Sequence, residues 1–441
     1  ATILDQQLPL VTRWSRSMVS RIWAGLKLSG WVWLMTCPLI WSTFHVVSPI
    51  AIPLNVMLSA PLMISLLCGL LTGLLGAVPW LAALLGWISG ACLALISWMV
   101  SIGESVPLGH WWLPAPSPYW TVTFYAAVAI WLLFLGNTHR RWLAIGLSLW
   151  IALGVAPHSW GPRGYLTPKG EAAAFDRVQE ELRLTFVDVG HGTSVVIEFP
   201  AGQVWLYDAG RLGAAETSHM DIANALWYIP TARIDNLIIS HADSDHYNAV
   251  HGLLERFNVS RVTSTERLWN SMADDVRELH ASIRRSRVPE HRWSAGVSGE
   301  LGEVQWRILH PRDSLAAESD NSSSLCLLLE YADKRVFLPG DLEGTGMLDL
   351  MEMPPRPCHI LMAPHHGSIS HDPRLILDWC VPETVVVSGN QRAMRSEVLE
   401  KFRRVDATLA ITFRDGAIQI LINRDGNIER RHWTGKTWKS F

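Results

Sequence analysis

Charge is scarce in this chain. Asp, Glu, Lys and Arg make up 17% of its 441 residues, against 49% hydrophobic residues and 23 tryptophans. The shortage is local: residues 31–156 are almost all apolar, while residues 160–441 have the mix of an ordinary globular domain. The six cysteines include no C-x-x-C pair, and three lie in each half (Cys37, Cys68, Cys92; Cys326, Cys358, Cys380), so neither a zinc knuckle nor a disulfide framework is suggested. No internal repeat or low-complexity tract is present. The net charge of -3 selects no class of partner. The chain starts at Ala1 without a signal-type leader and is read as starting inside a longer polypeptide.

A bilayer core takes about 20 mostly apolar residues per helix. Residues 31–47, 54–76, 80–103, 121–136 and 142–156 meet that need, so five spans are expected in a multi-span α-helical membrane domain over residues 1–156. Lys and Arg in short flanks set orientation. Arg13, Arg16, Arg21 and Lys27 precede the first span, and Arg140 and Arg141 close the loop "GNTHRR". The stretch 104–120 has no Lys or Arg and carries Trp111, Trp112 and Trp120, as an interfacial belt would. Five spans then put the N-terminus and the "THRR" loop in the cytoplasm and the polar half outside. Prolines and glycines recur in this half (Pro38, Pro49, Pro53, Pro61, Gly69, Gly73, Gly76, Pro79), which suits either a water-lined pathway or close helix packing.

"PHSWGPRGYLTPKGEAAAFDRVQEE" (157–181) reads as a linker, and residues 182–441 as one domain. Its β-rich runs are "LRLTFVDVG", "TSVVIEF", "QVWLYDAG", "IDNLIIS", "VQWRILH", "SLCLLLEY", "RVFLPGD", "HILMAPHH", "TVVVSG", "ATLAITF" and "AIQILINR". Helical patterns fall between them at "DIANALWYI", "NAVHGLLERF", "DDVRELHASIRR", "DPRLILDWC" and "SEVLEKFRRV". Two β-rich halves with intervening helices predict a layered α/β domain.

Acidic and histidine residues gather where these strands end: Asp188 and His191 in "FVDVGHG", Asp208 in "LYDAG", His241, Asp243, Asp245 and His246 in "SHADSDH", Asp341 in "LPGDLE", His365 and His366 in "APHHGS". One histidine at a strand end is usually a surface residue. Recurrence at five strand ends points to side chains converging on metal. His241, Asp243 and Asp245 alternate, while Asp245 and His246 are adjacent, so one loop can serve two ions. Imidazole with carboxylate suits Zn²⁺, Mn²⁺ or Fe²⁺, and three carboxylates without a thiolate favour Mn²⁺, with Zn²⁺ the alternative. Two such cations lower the pKa of a water and offset charge on the attacked group.

Taken together, "FVDVGHGTSVVIEF…VWLYDAG…LIISHADSDHYNAVHGLLERF…NSSSLCLLLEY…VFLPGDLE…ILMAPHHGS" resembles the metallo-β-lactamase-like domain of the ComEC/Rec2 family of DNA-uptake (competence) proteins, over about residues 183–400. The upstream "IAIPLNVMLSAPLM" is similar to the closing part of that family's membrane domain. The resemblance implies an αββα metallo-β-lactamase-like sandwich with two divalent metal ions at one edge. It also implies an inner-membrane channel for single-stranded DNA, taken up without regard to sequence, and a metal-dependent nuclease that degrades the other strand. Membrane lipid, a DNA receptor, other uptake proteins and a second copy of the chain are the partners it implies.

Carried over by motif, His241, Asp243, Asp245, His246 and Asp341 are metal ligands, with Asp245 and Asp341 central to catalysis and Asp341 bridging. One of His365 and His366 completes the set. Asp188, His191, Asp208 and Asn321 stand behind the ligands, Asp208 as the brace of the histidine loop.

The departures from the family pattern are specific. His191 and Thr193 replace a Gln and an Asp of the opening D-V-G-Q-G-D motif, and Asn248 and Ala249 stand at usual glycines. "DNSSSL" replaces the third-motif histidine, bringing Asn321 or Ser323 toward the site, and "NQRAMRS" replaces a G-H-P-type turn. The family's N-terminal soluble domain and much of its membrane region are not in this sequence, as expected of a fragment or shortened form. Two other readings stand beside this one: a membrane-anchored metallohydrolase of a nucleotide or lipid phosphodiester, and a transporter whose hydrolase fold is only a scaffold. Residues 391–441 hold 11 Lys/Arg against 6 Asp/Glu, with Trp433 and Trp438 interleaved, and read either as a strand-binding tail or as a solvated terminus. "IRRSRVPEHRW" (283–293) is a second basic candidate.

Overall fold

The computed structural model describes residues 10–134, 140–160, 180–213, 215–368, 373–403 and 406–441. The "GNTHRR" loop lies largely outside these residues, as do residues 161–179 of the expected linker. The chain divides into two compact units, Ala1–Pro157 and His158–Phe441.

The first unit is helical: Leu10–Phe44, Ala51–Leu74, Pro79–Ser105, Pro118–Phe134 and Arg140–Trp160. The first helix starts well before the expected span at residue 31, because Leu10–Leu28 has no proline, and Pro38 lies inside it without ending it. Ala51–Leu74 and Pro79–Ser105 are long and apolar enough to cross a membrane, with mean hydropathy 2.0 and 1.9. Their apolar side chains, among them Leu66, Leu70, Trp80, Trp87 and Trp98, face outward and lack a protein cover in this unit. Pro118–Phe134 and residues 141–156 are shorter apolar helices. Trp111 and Trp112 pair with Val46 and Val47 in a small antiparallel ribbon. Beside it the buried Trp41 meets Trp120 edge to face at 5.4 Å and donates from Nε1 to Pro114 O at 2.9 Å. The tryptophans expected as an interfacial belt are thus half-buried within the unit.

The second unit holds two large sheets. The first runs, in spatial order, Glu290–Arg292, Val262–Ser264, Asn236–Ile238, Val204–Tyr207, Val195–Glu198, Glu181–Phe186, Ile418–Asn423, Ile428–Trp433 and Trp438–Ser440. The first four are mutually parallel and the remaining pairings antiparallel. The second sheet runs Ser298–Leu301, Val304–His310, Cys326–Tyr331, Lys334–Leu338, Ile360–Met362, Thr384–Val387 and Thr408–Ile411. All eleven β-rich runs of the sequence form strands. Five further strands of these two sheets, including Ile428–Trp433 and Trp438–Ser440, lie outside those runs; the basic C-terminal stretch ends in a paired sheet edge rather than a tail.

Strand periodicity of two sorts the core. Leu327 and Leu329 point between the sheets with Leu184, Ile197, Trp205 and Ile308, whereas Cys326 and Leu328 point the other way. There they meet Met347 and Leu350 of Gly344–Met351, Trp379 of Arg374–Cys380 and Phe402 of Ser396–Arg403. Tyr207 joins the sheets: its hydroxyl lies 2.7 Å from Leu325 O and 3.1 Å from Leu338 O. Burying each such Leu, Ile or Phe contributes about 1.5–3 kcal/mol, so the interface between sheets is the stable platform for the loops at their ends. The helices Met220–Tyr228, Val250–Arg256 and Asp274–Arg285 bury Ile222, Leu253 and Ile283 apart from this inter-sheet core. The result is the expected αββα sandwich.

Candidate metal centre

Five strands deliver the site, Glu181–Phe186 leading into the turn that carries His191. Val204–Tyr207 leads into Asp208, Asn236–Ile238 into Ser240 and His241, Lys334–Leu338 into Asp341, and Ile360–Met362 into His365 and His366. After His241 the chain forms the short helix Ser244–Tyr247, with Asp243 at its N-cap. Asp208 sits at φ +58, a conformation that costs about 1–3 kcal/mol and is held here by Asp208 N–Ile238 O and Ala209 N–His246 O bonds, both 2.8 Å. Gly210 follows because a Cβ there would fall inside the backbone of Asp245 and His246.

Two groups of potential ligands result. One is His241, His246 and Asp341, all buried; the other is His191, Asp245 and His366; within each group the donor atoms lie within 4.8 Å of one another. Asp341 faces both groups: Oδ1 is 3.3 Å from His246 Nε2 and Oδ2 is 3.5 Å from His366 Nε2. Asp245 Oδ2 lies 3.3 Å from His366 Nε2 and 3.8 Å from His191 Nε2.

The ring nitrogens behind the groups are committed. Ser240 Oγ donates to Asp208 Oδ2 at 2.9 Å, so it accepts from His241 Nδ1, also at 2.9 Å. His246 Nδ1 donates to Asp208 Oδ2 at 2.9 Å, and His366 Nδ1 donates to Ser388 O at 3.0 Å. Each bond leaves Nε2 as the free nitrogen, turned to the cluster. Nε2 of both His241 and His246 is buried without a well-formed hydrogen bond, facing only a carboxylate oxygen at 3.5 and 3.3 Å. Buried imidazole nitrogens without a partner are costly, and a cation satisfies them. Four imidazoles and two carboxylates fit Zn²⁺, Mn²⁺ or Fe²⁺.

The electrostatics agree. Burial alone would raise Asp341, but His366 and His246 hold its carboxyl well below the usual carboxylate range. Asp245 is held low in the same way, burial being outweighed by the His366 hydrogen bond and His246. Burial lowers His246 and His366, yet Asp341 and its neighbours raise both above the ordinary histidine value. Burial and His366 lower His191.

The other expected residues are placed differently. The backbone of His365 and His366 is left-handed at both (φ 48 and 54), which turns consecutive side chains apart. His366 faces the cluster, and His365 Nδ1 goes to Glu343 Oε2 at 2.6 Å. Asn321 Nδ2 donates to the other oxygen of Glu343 at 3.0 Å, and Ser323 Oγ donates to Asp320 O, so neither joins a ligand group. Asp243 stays on the rim, 3.5 Å from His241 Nε2 and half-exposed. Asp188 is exposed and bonded to Gly190 N at 3.4 Å, outside both groups. His191, expected behind the ligands, stands among them. Glu343 was not singled out from the sequence; its signal is an acid two residues after Asp341 in "GDLE". A cleft of about 450 Å³ opens beside the cluster, lined by His191, His365 and His366 and by the exposed Arg392 and Arg395. The "NQRAMRS" departure is thus the wall of this cleft.

A family model described as Competence protein matches residues 2–138, and one described as Metallo-beta-lactamase superfamily matches residues 187–371. The chain joins a competence protein domain to a metallo-beta-lactamase superfamily domain. Among curated relatives it is 25% identical over 260 residues to ComE operon protein 3 of Bacillus subtilis (strain 168), covering 55% of this chain and 33% of that one. It is 25% identical over 288 residues to Competence protein ComA of Neisseria gonorrhoeae, covering 64% and 37%. The chain therefore spans about a third of the length of these relatives. Among solved structures, the metallo-beta-lactamase fold protein YhfI from Bacillus subtilis aligns at 10% identity and a TM-score of 0.37, over 52% of this chain and 96% of that one. The competence match precedes the metallo-beta-lactamase match along the chain, and the metallo-beta-lactamase fold implies divalent metal binding.

Proposed function

We propose that this chain is part of a ComEC-type DNA-uptake protein whose second unit is a metal-dependent phosphodiesterase acting on DNA. The observation that carries the reading is the cleft in which His191, His365 and His366 share a wall with Arg392 and Arg395. Guanidinium pairs recognise phosphate through paired N–H donors, and a neutral substrate would leave both cations without use. One ion would be held by His241, His246 and Asp341, the other by His191, Asp245 and His366, with Asp341 common to both and Asp243 at the rim. When bound, two such ions lower the pKa of water and offset the charge that builds on the phosphate; the carboxylates suit Mn²⁺ and the four imidazoles Zn²⁺.

The remaining work falls to the chain's own groups. Asp208 and Ser388 O hold the histidine rings in the tautomer that presents Nε2. Arg392 and Arg395 would orient the strand's backbone. His365, held through Nδ1 by Glu343, lines the cleft beside the ligand groups.

Five helices would cross the cytoplasmic membrane. Pro118–Phe134, with 17 residues, is about 25 Å long, near the lower limit for a span. That count places the N-terminus inside and the second unit outside, where it would meet incoming DNA and degrade the strand that is not transported. Single-stranded DNA, lipid, a DNA receptor, other uptake proteins and further copies of the chain are its partners in this reading.

The test is cleavage of single-stranded DNA by the purified, Mn²⁺-loaded full chain beside its Asp341→Ala variant. Loss in the variant supports the reading, and equal activity in both sinks it. Cleavage of a small phosphodiester without cleavage of DNA would reassign the enzyme to nucleotide or lipid substrates.

A further inference from the structure

A second cavity of about 390 Å³ lies in the same unit, apart from the residues of the metal cleft. It is lined by Tyr228 of Met220–Tyr228, by Trp433 and Trp438 of the last two strands, and by Asp188, Asn224 and Gln419. The three aromatic rings touch in series at steep angles, 69° for Tyr228 with Trp433 and 59° for Trp433 with Trp438, so each offers its own face or edge to the cavity. Tyr228 meets Trp433 at 5.4 Å and Trp433 meets Trp438 at 5.3 Å, both between ring centroids. Around them stand hydrogen-bonding groups of both kinds. Trp438 Nε1 is a buried donor without a hydrogen-bond partner among the described residues, Asn224 offers donor and acceptor, and Asp188 is an acceptor that takes the Gly190 N–H at 3.4 Å. A purely lipidic ligand would have no use for these edges.

The cavity is close to the cleft along the chain. Asp188 is three residues before His191, so their Cα atoms are at most about 11 Å apart. A cation is tied by short contacts to the residues of both. Arg211 Nη1 pairs with Asp221 Oδ2 at 3.0 Å, Asp221 lines the cavity, and the next residue, Leu212, bonds from N to His191 O at 2.6 Å. Arg211 therefore stands between the aromatic cavity and the metal cluster, where a connecting phosphate would pass.

We infer that this cavity takes an unstacked nucleobase of the single strand whose backbone lies in the metal cleft, with Tyr228, Trp433 and Trp438 as its stacking surface and Arg211 beneath the linking phosphate. The inference rests on the phosphodiesterase reading for its substrate and adds where the strand is gripped. Stacking serves every base alike, so the grip holds DNA without selecting sequence. The arrangement also gives a purpose to the C-terminal hairpin, which the metal cluster does not use.

The test reads binding alone, on the full chain freed of metal with EDTA so that no strand is cut. Fluorescence anisotropy with a labelled single-stranded oligodeoxynucleotide is compared with an abasic oligomer of the same length. Trp438→Ala and Tyr228→Ala should each weaken the base-bearing strand about tenfold while leaving the abasic one unchanged, and Trp438→Phe should recover most of the loss. Tyr228 is an exposed helix residue, so its variant reads the surface even where a tryptophan change disturbs the hairpin. Equal affinity for base-bearing and abasic strands, or wild-type binding by both alanine variants, would overturn the inference. So would displacement of the strand by tetramethylammonium, which would make the cavity a cation cage instead. Because no hydrolysis is involved, failure here leaves the phosphodiesterase test intact, and failure there leaves this one readable.

Discussion

Asp208 and His246 form a fully buried pair in which the imidazole Nδ1 donates to the carboxylate at 2.9 Å. The same carboxylate takes the Ser240 hydroxyl at 2.9 Å and the Ser240 backbone N–H at 2.7 Å. Through Ser240 it also reaches His241 Nδ1. One carboxylate thus sets the tautomer of two rings that face the metal groups, without itself touching the cluster. Asp208→Ala should leave both rings free to turn and cost about 10–100-fold in metal affinity. Competition of the full chain against a chromophoric zinc chelator measures it, and Asp208→Asn should lie between wild type and alanine because it keeps the Ser240 backbone bond. Unchanged affinity in Asp208→Ala would remove the bracing role.

Metal binding should strengthen as pH rises. His246 and His366 carry raised pKa values in the metal-free fold, despite burial, because Asp341 and its neighbours favour their charged forms. Raised histidines contribute stability below the unfolded value of about 6.5 and lose that contribution as pH climbs through their folded values. Asp245 and Asp341 are depressed, so their contribution is present above about pH 4 and lost on acidification. A cation must displace the histidine protons, so binding releases protons and weakens toward acid. Calorimetry in buffers of different ionisation enthalpy reads that release; a pH-independent affinity with no protons released would contradict the charge pattern.

Much of the site was legible because strand ends are marked twice, by an apolar run and by the polar residue that stops it. "SHADSDH", Asp208 and Asp341 all carry that double mark. What escaped depends on contacts between distant turns. Nothing in "APHHGS" says which histidine faces inward, since that follows from two left-handed residues in succession. Glu343 becomes meaningful only when its helix start is set against His365 and Asn321. The terminal hairpin did have a local signal, a Trp-Thr-Gly-Lys-Thr-Trp turn with Gly435 at φ +87, but its basic composition drew the reading toward a tail.

Arg392 and Arg395 sit at a turn that departs from the family pattern, yet they wall the cleft beside His191 and His366. Phosphate contacts act through counterion release, so each should appear in the salt dependence of strand binding. Arg392→Ala and Arg395→Ala should each weaken binding at low salt and reduce the slope of log affinity against log salt by about one. Metal content should stay at the wild-type value, since neither guanidinium is a ligand. Anisotropy titrations at several salt concentrations check it, and an unaltered slope in the double variant would place the strand elsewhere.

Gly210 is the point at which the Asp208 turn passes closest to the metal loop. A Cβ there would occupy the backbone position of Asp245 and His246, and backbone cannot move aside as a flexible side chain can. Asp208 is two residues away and already held in a left-handed conformation, so the turn has little freedom to absorb the strain. Gly210→Ala should destabilise the second unit by about 1–3 kcal/mol, the usual cost of overpacking. It should also pull Asp245 and His246 out of line with Asp341. The two effects separate in a thermal melt followed with and without Zn²⁺. The metal-free transition should fall by several degrees, and the gain on adding metal should shrink as well. A variant that melts early but keeps the full metal-induced gain would show that Gly210 serves packing alone and that the loop recovers its ligand geometry.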